Sequence, residues 1–231
     1  MSINKVQTID DQVVVKTVLV SVSDKTGLEP FLRGLLRACP DLRILSTGGT
    51  FAAIETLLGD SASRSLQQVA DYTGQPEMQG GLVKTLDFRI YLGLLAETYN
   101  PAHQADLART RSVAIDMVVV NLYPFQETVA NSGATIEDAR GNIDIGGPCM
   151  VRAAAKNFHR VAVLTDPADY PGIVKEMSLS GGLLGLPTRF TLARKAFQMI
   201  ARYDLAIADY LSHVPEGSVS AAYDVVPGMR S

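Results

Sequence analysis

Cysteine is scarce in this chain of 231 residues: only Cys39 and Cys149 occur, far apart, and neither has a second Cys or a His at metal-ligand spacing. This excludes a disulfide framework and reads as two reduced packing thiols in a cytosolic protein. Histidine is rare as well; His103, His159 and His213 show no ligand spacing and are read as surface or packing residues. A basic excess is missing. The 21 Lys and Arg stand against 24 Asp and Glu, a formal net charge of −3, so nothing favours a nucleic-acid backbone or an anionic membrane. Long apolar runs are missing too: Val13 to Val22, broken by Lys16, and Met117 to Val120 are strand-sized. The opening Met1-Ser2-Ile3-Asn4-Lys5 has no apolar signal core, so a cytoplasmic location is expected. No internal repeat or low-complexity block is visible.

What remains is a chain with 47% hydrophobic residues, ample for a packed core. Apolar runs at Val14 to Val22, Leu42 to Leu45, Ile115 to Leu122 and Val161 to Leu164 carry Val, Ile and Leu on both faces, as strands buried between helix layers do. Helical spacing lies between them, with Phe31, Leu32, Leu35 and Leu36 within 27–39 and Phe51, Ile54 and Leu58 within 50–58. Alternation of this kind predicts an α/β fold with a parallel, doubly wound sheet. From Pro187 the pattern is wholly helical, with Phe190, Leu192, Ala196, Phe197, Ile200 and Leu205 on one apolar face, which predicts a C-terminal helical extension. The expected division is an N-terminal extension over 1–16, an α/β domain over 17–165, the helical extension over 166–214, and a loose tail over 215–231.

In an open parallel sheet, ligands gather beyond the carboxyl ends of the strands, so the segments after each strand are the ones to inspect. Ser46-Thr47-Gly48-Gly49-Thr50 reads as strand, tight turn and helix start, a layout that holds phosphate through backbone N–H groups, hydroxyls and the helix dipole. After the first strand come Ser21, Ser23, Asp24, Lys25 and Thr26 ahead of Gly27. Gly80-Gly81-Leu82-Val83-Lys84-Thr85 offers a cation and a hydroxyl after a glycine pair, and Asn121-Leu122-Tyr123-Pro124-Phe125 presents an amide and a phenol. Ile143-Asp144-Ile145-Gly146-Gly147 sets a carboxylate in an apolar frame, where it needs a partner, and Lys156 follows on the next helix. If the two approach in a partly desolvated site, each perturbs the other's proton affinity. Any one of these segments is equally well a turn or a helix cap, and Tyr123 is equally well a packing residue. Their joint placement at one sheet edge argues for a site.

The series Ser21 to Gly27, Asn121 to Phe125, Ile143 to Gly147 and Arg152-Ala153-Ala154-Ala155-Lys156-Asn157, in this order, resembles the inosine monophosphate (IMP) cyclohydrolase domain of the bifunctional purine biosynthesis proteins, a methylglyoxal-synthase-like fold. The resemblance runs from about Thr17 to Leu211. It implies closure of the purine ring of 5-formamidoimidazole-4-carboxamide ribonucleotide (FAICAR) with loss of water, no cofactor or metal, and a homodimer. It also implies catalytic roles for Lys84, Tyr123, Asp144 and Lys156. Substrate contacts are implied for Ser23, Asp24, Lys25, Thr47, Gly48, Gly49, Thr50, Thr85, Asn121 and Ile145.

The chain departs from the family in two ways. Where the family reads Gly-Gly-Arg-Val-Lys-Thr-Leu-His-Pro, it has Leu82 for the Arg and Asp87-Phe88 for His-Pro. Losing that charge-assisted phosphate contact costs about 1.5–3 kcal/mol unless Arg89 or Arg152 compensates. The transformylase half of the family is also missing, which implies a separate formyltransferase to supply FAICAR. Two other readings share the fold: a non-catalytic regulatory domain like that of carbamoyl phosphate synthetase, and methylglyoxal synthase. Retention of the four implied catalytic residues argues against the first, and the missing Gly-Pro-Leu-Gly-Gly-Asp type of motif against the second.

Overall fold

The computed structural model describes residues 5–76 and 84–226. Gly80, Gly81, Leu82 and Val83 lie outside the described residues, as does the end of the tail, 227–231. The first half comprises β1 (Gln12–Val14), β2 (Thr17–Val22), α1 (Leu28–Ala38), β3 (Arg43–Ser46), α2 (Gly48–Leu58), α3 (Ala62–Ser65), β4 (Leu66–Gln68) and α4 (Val69–Thr73). After it come α5 (Phe88–Leu95), α6 (Pro101–Thr110), β5 (Met117–Asn121), α7 (Phe125–Ala130), α8 (Ile136–Gly141), α9 (Gly146–Lys156) and β6 (Ala162–Leu164). The chain closes with α10 (Tyr170–Ser180), β7 (Leu183–Gly185), α11 (Leu186–His213) and α12 (Glu216–Ala221).

Five strands form a parallel sheet in the order β4-β3-β2-β5-β6, in agreement with the expected α/β class. Because side chains alternate across a strand, one sequence supplies two cores. On one face Val18, Val20, Val22, Met117 and Val119 meet α1, α2 and α10 through Phe31, Leu35, Ile54 and Ile173. On the other, Leu19, Leu45, Val118 and Val120 meet α4, α5, α9 and α11 through Val69, Ile90, Met150 and Ala196. The expected helical extension is α11, 28 residues long, whose first 15 residues bury Leu192, Ala193, Ala196 and Ile200. No described helix is long and apolar enough to cross a membrane.

Two expectations need correction. The apolar run 14–22 is two strands, since the chain turns at Val15-Lys16 and β1 leaves the main sheet to pair antiparallel with β7, with Val13 opposite Leu184. Residues 10–14 are therefore part of the packed body: Leu186 N–H donates to Asp11 O at 2.7 Å. The tail is not wholly irregular either, because Glu216–Ala221 is helical, although residues 215–226 are exposed throughout.

Two buried arginines hold the periphery to the sheet. Arg160 pairs with Asp116 at 2.8 Å and also donates to the carbonyls of Ala96 and Gly93, while the other Asp116 oxygen accepts the N–H groups of Lys16 and Thr17. Burial pushes the Asp116 carboxyl up against the opposing pull of Arg160. Arg189 is fully buried and donates to the carbonyls of Asp10, Phe158, His159 and Leu184. Removing one member of a buried pair strands the other, so Asp116→Ala is expected to lose about 3–5 kcal/mol in urea unfolding. The double variant Asp116→Leu/Arg160→Met should lose less than Asp116→Ala. A double variant at least as unstable as the single would show that Arg160 is not stranded in Asp116→Ala.

Candidate active site at the strand ends

In chain order β2 leads to β3 on one side, and the later strand β5 lies on its other side, so the β2/β5 boundary is where the winding reverses. A cavity of about 440 Å³ opens beyond the carboxyl ends of these strands. Its walls are the end of β2 and the turn after it (Ser21, Val22, Ser23, Lys25), the start of α2 (Thr47, Gly49, Thr50) and the end of β5 with its following turn (Asn121, Tyr123). Lys84, Thr85 and Leu86, with the stretch from Gly141 to Gly147 and Met150, complete them. Among the predicted residues, Ser23, Lys25, Thr47, Gly49, Thr50, Lys84, Thr85, Asn121, Tyr123, Asp144 and Ile145 are brought together around this cavity.

Helix α2 begins at Gly48, whose φ of 47° only glycine adopts without strain. Its first internal bond runs from Phe51 N–H to Thr47 O, so the N–H groups of Gly49 and Thr50 have no partner inside the helix. Thr47 is the N-cap residue but makes no side-chain cap bond. The opening turn of α9 reaches the cavity too, through Gly146 and Gly147, so two positive helix ends and two lysines converge on it. A Cβ at Gly49 would meet nothing within 4 Å. The protein itself therefore does not require glycine there; the open space belongs to the cavity.

Asp144 is the half-buried carboxylate of the site. Its Oδ1 accepts Gly147 N–H at 2.9 Å, and its own N–H donates to the Tyr203 hydroxyl at 2.8 Å. Burial raises its proton affinity, opposed by hydrogen bonds from the Gly147 and Tyr123 backbones. A side chain at Gly147 would approach Asp144 Oδ2 to 2.5 Å and the Leu122 side chain to 2.6 Å, so the carboxylate depends on glycine at that position.

Several predicted contacts have other partners. Thr50 donates its hydroxyl to Val22 O at 3.0 Å and accepts from Val22 N–H at 3.1 Å, so it stitches α2 to β2 instead of offering a donor to a ligand. The Asn121 amide accepts from the N–H groups of Ser23 and Asp24 and donates to Asp24 O, which fixes the turn after β2. Asp24 does not line the cavity; its carboxylate accepts from the Thr26 N–H and hydroxyl, bonds that hold its pKa below the usual value. Gly48 supplies the turn that opens α2 and is not itself a lining residue.

Lys156 stands apart from the cavity of its own chain. It ends α9, roughly 15 Å along the axis from Gly146. It is exposed four residues after exposed Arg152, on the helix face opposite the core, and does not approach Asp144. Neither arginine proposed to replace the missing one reaches the cavity. Arg89 donates to the carbonyls of Tyr72 and Arg111, and Arg152 lies 6.0 Å over the Phe197 ring. Asp87 has its own role as N-cap of α5, accepting Arg89 N–H at 2.8 Å. Sequence reading missed Asn142, Ile143 and Met150 in the walls and Tyr203 behind them; for Tyr203, 59 residues from Asp144, no local pattern gives a signal. Among the described residues no cluster of His, Cys, Asp and Glu could hold a metal ion.

The fold and site define a class: a parallel α/β domain with a cavity where its winding reverses, lined by helix starts and two lysines. The chain belongs to the MGS-like domain family, whose model matches residues 27–149. Residues 154–228 match a second family described as the AICARFT/IMPCHase bienzyme. The chain is 49% identical over 201 residues to the bifunctional purine biosynthesis protein PurH of Acidithiobacillus ferrooxidans, covering 87% of this chain and 37% of that protein. Identity to the bifunctional purine biosynthesis protein PurH of Chlorobium luteolum is 50% over 212 residues, covering 92% of this chain and 39% of that protein. The chain thus spans a little over a third of the length of these curated relatives. A solved structure titled "Crystal structure of ForH" superposes with a TM-score of 0.74 at 34% identity, covering 85% of this chain and 97% of that one.

Two expectations follow from the geometry. Gly49→Ala should leave the protein as stable or up to about 1 kcal/mol more stable, because a helical glycine is replaced where space exists. The same variant should bind a ribonucleoside monophosphate at least tenfold more weakly, measured by calorimetry; unchanged affinity would place the anion elsewhere. Asp144→Asn should raise the melting temperature near pH 7. The sign follows from the raised folded-state pKa: a carboxyl of this kind favours the folded state while protonated and loses that contribution as pH rises through its folded pKa. The advantage of Asn should therefore vanish below the ordinary value of 3.8.

Proposed function

We propose that this chain is an IMP cyclohydrolase that closes FAICAR to IMP in purine biosynthesis. The observation that carries the reading is the meeting of Lys84, Tyr123 and Asp144 in one cavity with the opening turn of α2, an anion cradle beside acid–base groups. The likeness to PurH proteins over most of this chain supports the same reaction.

The chemistry asks little beyond orientation and proton transfer. The carboxamide nitrogen of FAICAR forms a C–N bond to its own formyl carbon, and the C=O pair moves to oxygen. The carboxamide nitrogen gives up one proton as the oxygen takes one to become a hydroxyl, and that hydroxyl, protonated again, leaves as water while the formamido nitrogen loses its N–H proton and forms the ring C=N bond. Because both reacting groups belong to one molecule, holding them together supplies much of the rate. In this reading the phosphate lies against Thr47 and Gly49 at the start of α2, and the base reaches toward Asn142 to Asp144. Asp144, whose proton affinity burial has raised, takes the nitrogen's proton, while Lys84 and the Tyr123 hydroxyl donate to the oxygen that becomes the leaving water. Lys156 has no part in this single-chain arrangement. A formyltransferase activity must supply FAICAR.

Mixing the purified chain with FAICAR and following purine absorbance should show IMP formation in the presence of a chelator and without folate. Asp144→Asn should lower kcat by about a hundredfold or more, the loss typical of a missing general base, with affinity for IMP kept within a few-fold. No turnover above the uncatalysed rate by the wild-type chain would overturn the assignment.

A further inference from the structure

The Asp144 turn is held from outside by one side chain of α11, and we infer that Tyr203 is the positioning residue that sets the carboxylate for ring closure. The inference rests on the proposed reaction. The Tyr203 hydroxyl accepts Asp144 N–H at 2.8 Å and donates to Asn142 O at 3.2 Å, so one oxygen bridges the two backbone groups that flank Ile143. Both Asn142 and Asp144 line the cavity.

The same ring reaches the second site turn. Phe125, two residues after Tyr123, is fully buried and meets Tyr203 edge-on at 6.3 Å between ring centres and Tyr210 at 5.8 Å. Tyr203 thus ties the Asp144 turn and the root of the Tyr123 turn to one rigid helix. Within the turn, Asp144 Oδ1 accepts Gly147 N–H, which fixes the carboxylate relative to its own backbone. The backbone in turn takes its position from the Tyr203 hydroxyl. Loss of that oxygen leaves a donor and an acceptor to find other partners, and the turn moves. A displacement of about 1 Å is enough to cost two orders of magnitude in an oriented reaction. The anion cradle at α2 belongs to other elements and keeps its geometry.

Tyr203→Phe retains the ring and its packing on Phe125, so a folded protein is expected, checked by circular dichroism. Steady-state kinetics with FAICAR should show kcat lowered by about tenfold or more, with KM and the IMP dissociation constant each within threefold of wild type. Tyr210→Phe, which removes a hydroxyl from the same aromatic cluster, should leave kcat within twofold. A Tyr203→Phe variant with kcat within twofold of wild type would overturn the inference. So would a fall in kcat matched by an equal loss of IMP affinity, or the same fall in Tyr210→Phe, since each marks a general loosening. Amide exchange provides an arm independent of turnover: Asp144 N–H should lose at least tenfold in protection in Tyr203→Phe, and unchanged protection would overturn the inference even if FAICAR is not the substrate. Absence of turnover in the wild type with that protection lost would instead count against the proposed reaction alone.

Discussion

The architecture turns on how a fully buried guanidinium is satisfied. Arg189 sits on the first turn of α11, and its donors reach carbonyls from residues 10–11, 158–159 and 184, segments far apart in the chain. A buried cation without such acceptors is severely destabilising, so these segments must meet around it. With Arg189 in place, α11 starts at a fixed point and angle. Fourteen residues on, the same helix delivers Tyr203 to the Asp144 turn. An electrostatic requirement on one side of the sheet thus reaches the chemistry at its edge through a rigid rod.

The site itself follows from parallel strands. Each strand must be followed by a crossover, so every connection at the carboxyl edge is a strand-to-helix turn, and helix starts with unpaired N–H groups accumulate there. This chain lines the resulting crevice with side chains that mostly serve the frame. Thr50 and Asn121 spend their hydrogen-bonding capacity on neighbouring backbone, so these two hold the walls in place.

Much of this was legible in sequence where local rules suffice. β2, β3, β5 and β6 read as strands because strands buried on both faces have no polar alternation to disguise them. Ser23, Thr47 and Tyr123 drew attention because they closely follow those strands, and Asp144 because a carboxylate stands between two isoleucines ahead of a glycine pair. β4 and β7 were missed; Leu66-Gln67-Gln68 and Leu183-Leu184-Gly185 carry no run of β-branched residues like that at Val161 to Leu164. The break at Val15-Lys16 was missed because Val13 and Val14 are as apolar as the strand that follows. Direction was illegible as well: nothing in the sequence says that Thr50 turns its hydroxyl to Val22, or that Lys156 falls on the exposed face of α9. Tyr203 required the tertiary fold, because its partners lie in another element.

The ribbon of β1 and β7 joins residues 12–14 to 183–185, the widest sequence separation of any strand pair in the fold. During synthesis the first strand therefore waits while roughly 170 residues are added, on the order of ten to thirty seconds at typical elongation rates. The five-stranded sheet has all its members before that ribbon can close, and the carbonyls of Asp10 and Asp11 reach Arg189 only afterwards. The ribbon is thus the last of the described strand pairings for which the emerging chain supplies both members.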